Sequence, residues 1–200
     1  MLTIFHNPRT RSARVVWLAE EMGLPYETRA EVLGQPSQDF LAANPVGAFP
    51  AVTDDEVGMG ESVAIMQYLL ARHGPSPLER RYGDPDYADY LEFLIYGEGS
   101  MAAFLNPMIF TRFLGGKDDQ DNFTIGAVKR LWAGRVARLA RQLEGRDYVA
   151  GDFSAADISV GYALFLGDSL GVGDYPPAVA AYWDRLKARP GYQKAFARPS

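Results

Sequence analysis

Cysteine is absent from the 200 residues, and histidine occurs only twice, as His6 and His73. Without cysteine there is no disulfide framework, no thiolate-ligated zinc, no iron–sulfur cluster and no cysteine nucleophile. Two histidines far apart in sequence argue against a multi-histidine metal site. Neither sits in a recognisable Ser-His-Asp setting. Long apolar runs are missing too. None approaches the roughly 18 residues of a membrane-spanning helix. The opening stretch MLTIFHNPRT has no basic region followed by an apolar one, so it does not read as a signal peptide. Positive charge is in deficit, with a net charge of −5, which argues against nucleic acid as a partner. The expectation is a soluble cytoplasmic protein with no metal, no membrane and no nucleic acid.

What is present is ordinary globular composition, 48% hydrophobic and 22% charged. The length suits one or two domains and buries roughly 70% of the unfolded chain's surface without staples. Leu2 to His6 is a short apolar run that predicts a buried strand. Ser12 to Met22 carries Val15, Val16, Leu18, Ala19 and Met22 near helical spacing, with Gly23 and Pro25 as end signals. Tyr26 to Val32 alternates and predicts a strand with one buried face. Ser37 to Ala43 predicts a short helix. Pro50 to Thr53 and Val57 to Gly60 predict a hairpin around Asp54–Glu56. Glu61 to His73 predicts a helix with Ala64, Ile65, Tyr68 and Leu69 inward. The order β-α-β followed by β-β-α is that of a thioredoxin-like fold, with a right-handed parallel crossover first and an antiparallel hairpin second.

Gly74-Pro-Ser-Pro77 is the strongest linker signal. Beyond it the patterns are helical. Asp84–Pro85 predicts an N-cap and first-turn proline for a long helix interrupted at Gly97 and Gly99 and kinked or ended at Pro107. Asp121 to Glu144 predicts a second long helix. Ser154-Ala-Ala-Asp157 predicts a capping box before an apolar helix from Ile158 to Leu170. Pro176–Pro177 precedes a last helix with Val179, Tyr182, Trp183 and Leu186. The fold class expected is therefore an α/β thioredoxin-like domain followed by an all-α helical bundle. The division expected is residues 1–75, a linker over 76–84, and 85–200.

Three groups of residues lie where chemistry could sit. His6-Asn-Pro-Arg-Thr-Arg-Ser12 joins the first strand to the first helix, where unpaired backbone N–H groups favour an anion. Thr10 and Ser12 are its hydroxyls. The plainer reading makes one of them a helix cap, and Arg9, Arg11 and Arg14 solvated surface charges. Asn44-Pro-Val-Gly-Ala-Phe-Pro50 leads into a strand. Taken alone, Phe49–Pro50 is expected to be trans, because only about 5–6% of X–Pro bonds in folded proteins are cis. Glu61–Ser62 opens a helix. A carboxylate, a hydroxyl and helix N–H groups together suit the ammonium and carboxylate of an amino acid, although for the pair taken alone a simple cap is the favoured reading.

In order and spacing these blocks resemble the glutathione S-transferase superfamily over essentially the whole chain. The resemblance is carried by the run from His6 to Glu27, by Asn44-Pro-x-Gly-x-x-Pro-Ala51, and by Glu61-Ser-x-Ala-Ile-x-x-Tyr-Leu69. Ser154-Ala-Ala-Asp-Ile158 and Ala188-Arg-Pro-Gly-Tyr-Gln-Lys-Ala195 continue it, and Tyr96-Gly-Glu-Gly-Ser100 is similar to a bacterial subgroup. The resemblance implies a cis Pro50 and backbone pairing of Phe49 with the cysteinyl unit of glutathione. It implies that Glu61 and Ser62 hold the γ-glutamyl end. It also implies that a hydroxyl after the first strand donates to the glutathione sulfur and favours the thiolate. Thr10 aligns best with that hydroxyl, and Ser12 is the alternative.

The implied activity is conjugation of glutathione to small hydrophobic electrophiles, in a homodimer. Glutathione-dependent reduction of peroxides or disulfides, or glutathione binding without catalysis, are the alternatives. The second substrate is expected between the domains, with Tyr96, Met101, Phe104 and Phe110 as an apolar wall, although helical Met and aromatic residues more commonly pack a core. Two departures from the family pattern stand out. Ala48 replaces a frequent lysine, leaving Gln35, Gln38 or an arginine for the glycyl carboxylate. Phe49 is bulkier than the usual Val or Ile and is expected to alter the cleft. Asp157 matches the family's capping residue and carries no expected catalytic role.

Overall fold

The computed structural model describes residues 1–116, 119 and 122–197. Packing divides the chain into two units, Met1–Glu79 together with the segment from Lys187 onward, and Arg80–Leu186. The last helical segment thus belongs with the first unit rather than with the helical bundle.

The first unit contains β1 (Leu2–His6), α1 (Ser12–Met22), β2 (Tyr26–Ala30), α2 (Gln38–Ala43), β3 (Ala51–Asp54), β4 (Val57–Gly60) and α3 (Ser62–His73). The strands form one sheet in the order β2-β1-β3-β4. β1 runs parallel to β2 and antiparallel to β3, and β3 and β4 form the hairpin. This is the thioredoxin-like arrangement that the pattern of the sequence predicts. Ile4, on the central β1, pairs with Thr28 on one side and Val52 on the other. β2 departs from expectation. It ends at Ala30, and Glu27 to Ala30 are all exposed. β2 lies at the edge of the sheet, and the buried face expected of it is absent.

α1 is buried without interruption from Ser12 to Ala19. It ends where the sequence places its end. Gly23 adopts φ 64°, its N–H bonds the Glu20 carbonyl, and the Leu24 N–H bonds the Ala19 carbonyl. α3 buries Ser62, Ile65, Met66, Leu69 and Leu70, so its inward face is turned slightly from the expected one and leaves Ala64 exposed. The unit is completed by α9 (Pro190–Phe196), which the sequence pattern does not separate from the preceding helix. α9 packs on α1. Trp17 meets Tyr192 edge-on at 5.2 Å and Phe196 at 6.5 Å. Arg189, at its N-cap, donates to both carboxylate oxygens of Glu21 at 2.8 and 2.7 Å.

The second unit holds α4 (Tyr87–Tyr96), α5 (Asn106–Leu114), α6 (Phe123–Gln142), α7 (Ala155–Ser169) and α8 (Pro177–Lys187). α4 begins two residues later than Asp84–Pro85 predicts. The Asp84 carboxylate instead accepts from the Arg81 N–H at 2.7 Å, forming a turn. Gly97 starts a π-helical turn over residues 97–102. It is there because α7 comes close: an added Cβ would lie 2.5 Å from the carbonyl carbon of Ser159. Pro107 opens α5 rather than ending a helix, since its missing N–H is harmless in a first turn. The start expected at Asp121 lies outside the described residues. Asn122 caps α6 by accepting from the Ile125 N–H at 3.0 Å.

α7 is the centre of the bundle, buried on nearly all sides. Its capping box is present, and Asp157 does more than cap. One oxygen accepts from the Ser154 N–H, and the other accepts from the Val149 N–H and the Tyr182 hydroxyl. Burial raises its carboxyl pKa, against the pull of these four donors when the Ser154 hydroxyl is counted.

Candidate functional site

Strand β1 ends at His6, and the chain turns through Asn7-Pro-Arg-Thr-Arg11 into α1. The turn is closed by the Thr10 N–H bonding the Asn7 carbonyl at 3.0 Å. It brings three side chains together. Ser12 Oγ lies 2.8 Å from His6 Nδ1 and 2.8 Å from Thr10 Oγ1. Ser12 Oγ also accepts from the Asn7 N–H at 3.1 Å. Thr10 Oγ1 lies 2.8 Å from the Asn7 carbonyl and accepts from the Ser12 N–H at 3.3 Å. The two candidate hydroxyls therefore differ in access. Ser12 is wholly buried, whereas Thr10 is half-buried and reaches the surface. Burial pushes the His6 pKa down to about 4, partly offset by the nearby Ala195 backbone. The ring is neutral at neutral pH.

Arg14 overturns the surface reading given to it. It is wholly buried, and its Nη1 donates to Ser62 Oγ at 3.1 Å. The position falls inside the run of α1 that is buried on every side, which is the signal the sequence offered. Arg9 is exposed, as expected.

The Asn44–Pro50 segment is organised by Asn44, a role that its sequence neighbourhood does not announce. Its amide donates to the carbonyls of Ala48 at 2.7 Å and Pro50 at 3.2 Å, and its oxygen accepts from the Val46 N–H at 3.2 Å. The Phe49–Pro50 bond is cis, as the resemblance implies and unlike the trans form expected of an X–Pro bond taken alone. The Phe49 ring turns inward onto Phe40, with centroids 5.0 Å apart, beside Phe5, Ala43 and Ala51. Its extra bulk goes into the core.

Glu61 is the N-cap of α3 with φ 67° and ψ 102°, an unusual conformation for a residue with a Cβ. Its side chain is exposed, while Ser62 is buried against Arg14. The first N–H groups of α3 lack intrahelical partners. A carboxylate, a helix start and a buried guanidinium next to the serine thus lie at one point. Gln35 and Gln38 are both exposed.

The four residues expected as an apolar wall lie in the second unit and differ in surroundings. Met101 is wholly buried and has no surface to offer. The Phe104 ring lies under the Arg135 guanidinium, 3.5 Å from the ring centroid. The Tyr96 hydroxyl donates to the Arg135 carbonyl at 3.2 Å, and burial raises its pKa. Phe110 is more than half exposed. An open groove lined by Tyr87, Leu91, Ile95, Tyr96 and Ser100 includes one of the four. Among the described residues, no group of His, Asp and Glu is arranged to hold a metal ion, and no helix is long and apolar enough to cross a membrane.

A thioredoxin-like unit with a hydroxyl after β1, a cis-proline loop before β3 and a Glu–Ser start to α3, followed by helices, defines the glutathione transferase class of fold. The comparisons agree. The sequence profile of the glutathione S-transferase N-terminal domain matches residues 9–77. Glutathione S-transferase 1 of Zea mays is 33% identical over 197 residues, spanning 90% of this chain and 89% of that one. A match to glutathione S-transferase 3 of Schizosaccharomyces pombe, 31% identical over 107 residues, spans 52% of this chain and only 44% of that protein. Among solved structures, a sphingomonad glutathione S-transferase complexed with glutathione superposes with a TM-score of 0.81 at 25% identity, covering 97% of this chain and 96% of that one. The chain belongs to the glutathione S-transferase family.

Proposed function

We propose that the protein is a glutathione transferase that joins the thiolate of glutathione to small hydrophobic electrophiles. Thr10 is the hydroxyl that donates to the sulfur. The observation that carries this reading is the difference between the two hydroxyls: Thr10 reaches the surface, and Ser12 is enclosed behind it. A hydrogen bond to the charged form lowers a thiol's pKa and raises the fraction of nucleophile at neutral pH.

The rest of the site supplies grip. Among the described residues, no hydrogen bond engages the Phe49 backbone, which suits strand-like pairing with the cysteinyl unit. The Glu61 carboxylate meets the γ-glutamyl ammonium. The N–H groups at the start of α3, with Ser62, meet its carboxylate. Arg14 holds the Ser62 hydroxyl in place and puts a positive charge behind it. In the second unit Phe110 is the most exposed residue of the expected wall, and Tyr96 lines the open groove. By likeness to the family, the reading includes a cytoplasmic homodimer and a role in detoxification.

Retention of the purified protein on immobilised glutathione, with assays against a nitroaryl halide, a peroxide and a disulfide, tests the proposal. Retention with turnover of the halide is expected. Retention with turnover of only the peroxide or disulfide makes the enzyme a reductase. Failure to bind glutathione overturns the site.

A further inference from the structure

The site runs in one direction along its peptide. With the γ-glutamyl end at Glu61–Ser62 and the cysteinyl unit on the Phe49 backbone, an extended peptide continues past Phe49 to the side of Ala48 and α2. Its third residue therefore meets a stretch of chain with a marked charge bias. From residue 30 to residue 71 the sequence has no lysine, arginine or histidine, yet it carries Glu31, Asp39, Asp54, Asp55, Glu56 and Glu61. A free glycyl carboxylate enters these surroundings with the same sign of charge.

The groups on this side that could receive a carboxylate are already engaged. Arg29, the last base before the acidic stretch, donates to Asp39. The start of α2 holds a carboxylate of the protein itself. Glu31 accepts from the Ser37 N–H at 3.0 Å and from the Ser37 hydroxyl at 2.6 Å, and Ser37 Oγ accepts from the Phe40 N–H at 3.1 Å. The Asn44 amide donates to the carbonyls of Ala48 and Pro50. Arg9 is exposed but stands next to Thr10, and so at the sulfur rather than at the third residue.

Two neutral amides are left. Gln35 and Gln38 are exposed, and among the described residues no hydrogen bond engages their side chains. The turn between them lies against the loop that carries Ala48. A Cβ added to Gly47 would lie 3.5 Å from Cγ of Pro36 and 3.3 Å from Cδ2 of Leu41. A glutamine side chain presents a donor and an acceptor together. A carboxylate, which only accepts, leaves the glutamine oxygen facing an anion, whereas a carboxamide pairs with both halves.

On the reading of the site as a glutathione site, we propose that its preferred thiol is a γ-glutamylcysteinyl peptide whose third residue ends in an amide instead of a free carboxylate, read by Gln35 and Gln38. The discriminating groups are solvent-exposed and screened by salt, so the preference is modest, about two- to five-fold in low salt. It falls on binding of the thiol and not on the chemical step, because the third residue is remote from the sulfur.

Calorimetry on the intact protein tests the proposal with three thiols: glutathione, its primary amide, and glutathione joined to spermidine through the glycyl carboxylate. Glutathione is expected to bind, and the primary amide to bind about two- to five-fold more tightly in low salt. With a nitroaryl halide the amide should lower KM for the thiol and leave kcat unchanged. A spermidine amide that leads in low salt and loses its lead in high salt identifies a polyamine conjugate as the natural form. One that binds no tighter than the primary amide identifies the simple amide. Ala48→Lys should strengthen glutathione several-fold and cancel the amide's lead. Glutathione binding as tightly as its amide, or a ratio that a folded Ala48→Lys leaves unchanged, overturns this proposal and leaves the glutathione site standing. Failure of all three thiols to bind overturns the site and this proposal together. If Ala48→Lys does not fold, the wild-type comparison still decides.

Discussion

Asn44 and Gly60 meet side chain to main chain: a Cβ added to Gly60 would lie 2.6 Å from Nδ2 of Asn44. The glycine at the end of β4 makes room for the amide that shapes the loop before β3. Gly60→Ala must therefore displace the same amide that Asn44→Ala deletes. Each is expected to destabilise the protein by about 1–3 kcal/mol in urea unfolding, in line with a few lost hydrogen bonds. The double variant should fall short of the sum by more than about 0.5 kcal/mol. Strict additivity would show that the two residues act separately.

Removing the Thr10 hydroxyl in Thr10→Ala should lower turnover of a nitroaryl halide by about ten-fold or more, as expected for a lost bond of roughly 1.5–3 kcal/mol to a charged atom. Thr10→Ser should keep most of the rate. The bound thiol's pKa, followed by thiolate absorption, should rise in the alanine variant alone. An unchanged rate in Thr10→Ala would move the role elsewhere in the loop.

Glu61 combines an exposed carboxylate with a positive φ, and two substitutions separate those features. Glu61→Gln keeps the backbone and removes the charge, so glutathione should bind more weakly while the unfolding midpoint holds. Glu61→Gly should weaken binding as well, yet stabilise the fold by up to about 1 kcal/mol, because glycine adopts this conformation without strain. Calorimetry with glutathione and chemical denaturation of both variants provide the check.

Gly97 and Gly99 are two residues apart in the π-helical turn and should respond in opposite ways. The methyl of Gly97→Ala would meet the Ser159 backbone at 2.5 Å, and a loss of about 1–3 kcal/mol or more is expected. At Gly99 nothing lies within 4 Å of the added methyl, so Gly99→Ala should be neutral or stabilise by up to about 1 kcal/mol. Equal losses would argue against a close approach of α7 at Gly97.

His6 makes stability depend on pH when no ligand is bound. Its pKa is about 4 in the folded chain against the ordinary 6.5 of a solvated imidazole, so between those values the unfolded chain binds more protons. Stability is present in full above pH 6.5 and is lost as pH falls toward 4. The loss from this residue amounts to up to about 3 kcal/mol. Denaturation midpoints measured across that range should show His6→Gln losing this component of the slope. A parallel profile would mean that the folded ring titrates normally.

Much of the first unit was legible because its signals are local. Gly23 ends α1 at the residue where the pattern stops, and the Asp54–Glu56 turn separates two recognisable strands. What was not legible depends on partners far away in sequence. The exposure of β2 depends on what the folded chain packs over its faces. The π-helical turn at Gly97 follows from the approach of Ser159, 62 residues later in the chain. α9 is short, and its apolar residues Tyr192 and Phe196 gain a helical reason only against Trp17.

The site divides in the same way. Phe49, Pro50, Glu61 and Ser62 stand in recognisable blocks. That Ser12 is wholly buried while Thr10 and His6 keep some surface could not be read, because all three are neighbouring polar residues and only folding ranks them by depth. The role of Asn44 depends on which carbonyls the loop turns toward it.

The docking of α9 on α1 bears on the order of events during synthesis. Trp17 is made well before its aromatic neighbours Tyr192 and Phe196, which follow the whole second unit in the chain. At about 5–20 residues per second, the intervening unit separates them by on the order of ten seconds. During that interval the nascent first unit exposes an indole edge, a surface that a chaperone can hold and that a crowded ribosome can mispair. A chain released before Tyr192 leaves α1 uncovered. Heat or dilution is thus not the only hazard for this fold, since slow or truncated translation carries one of its own.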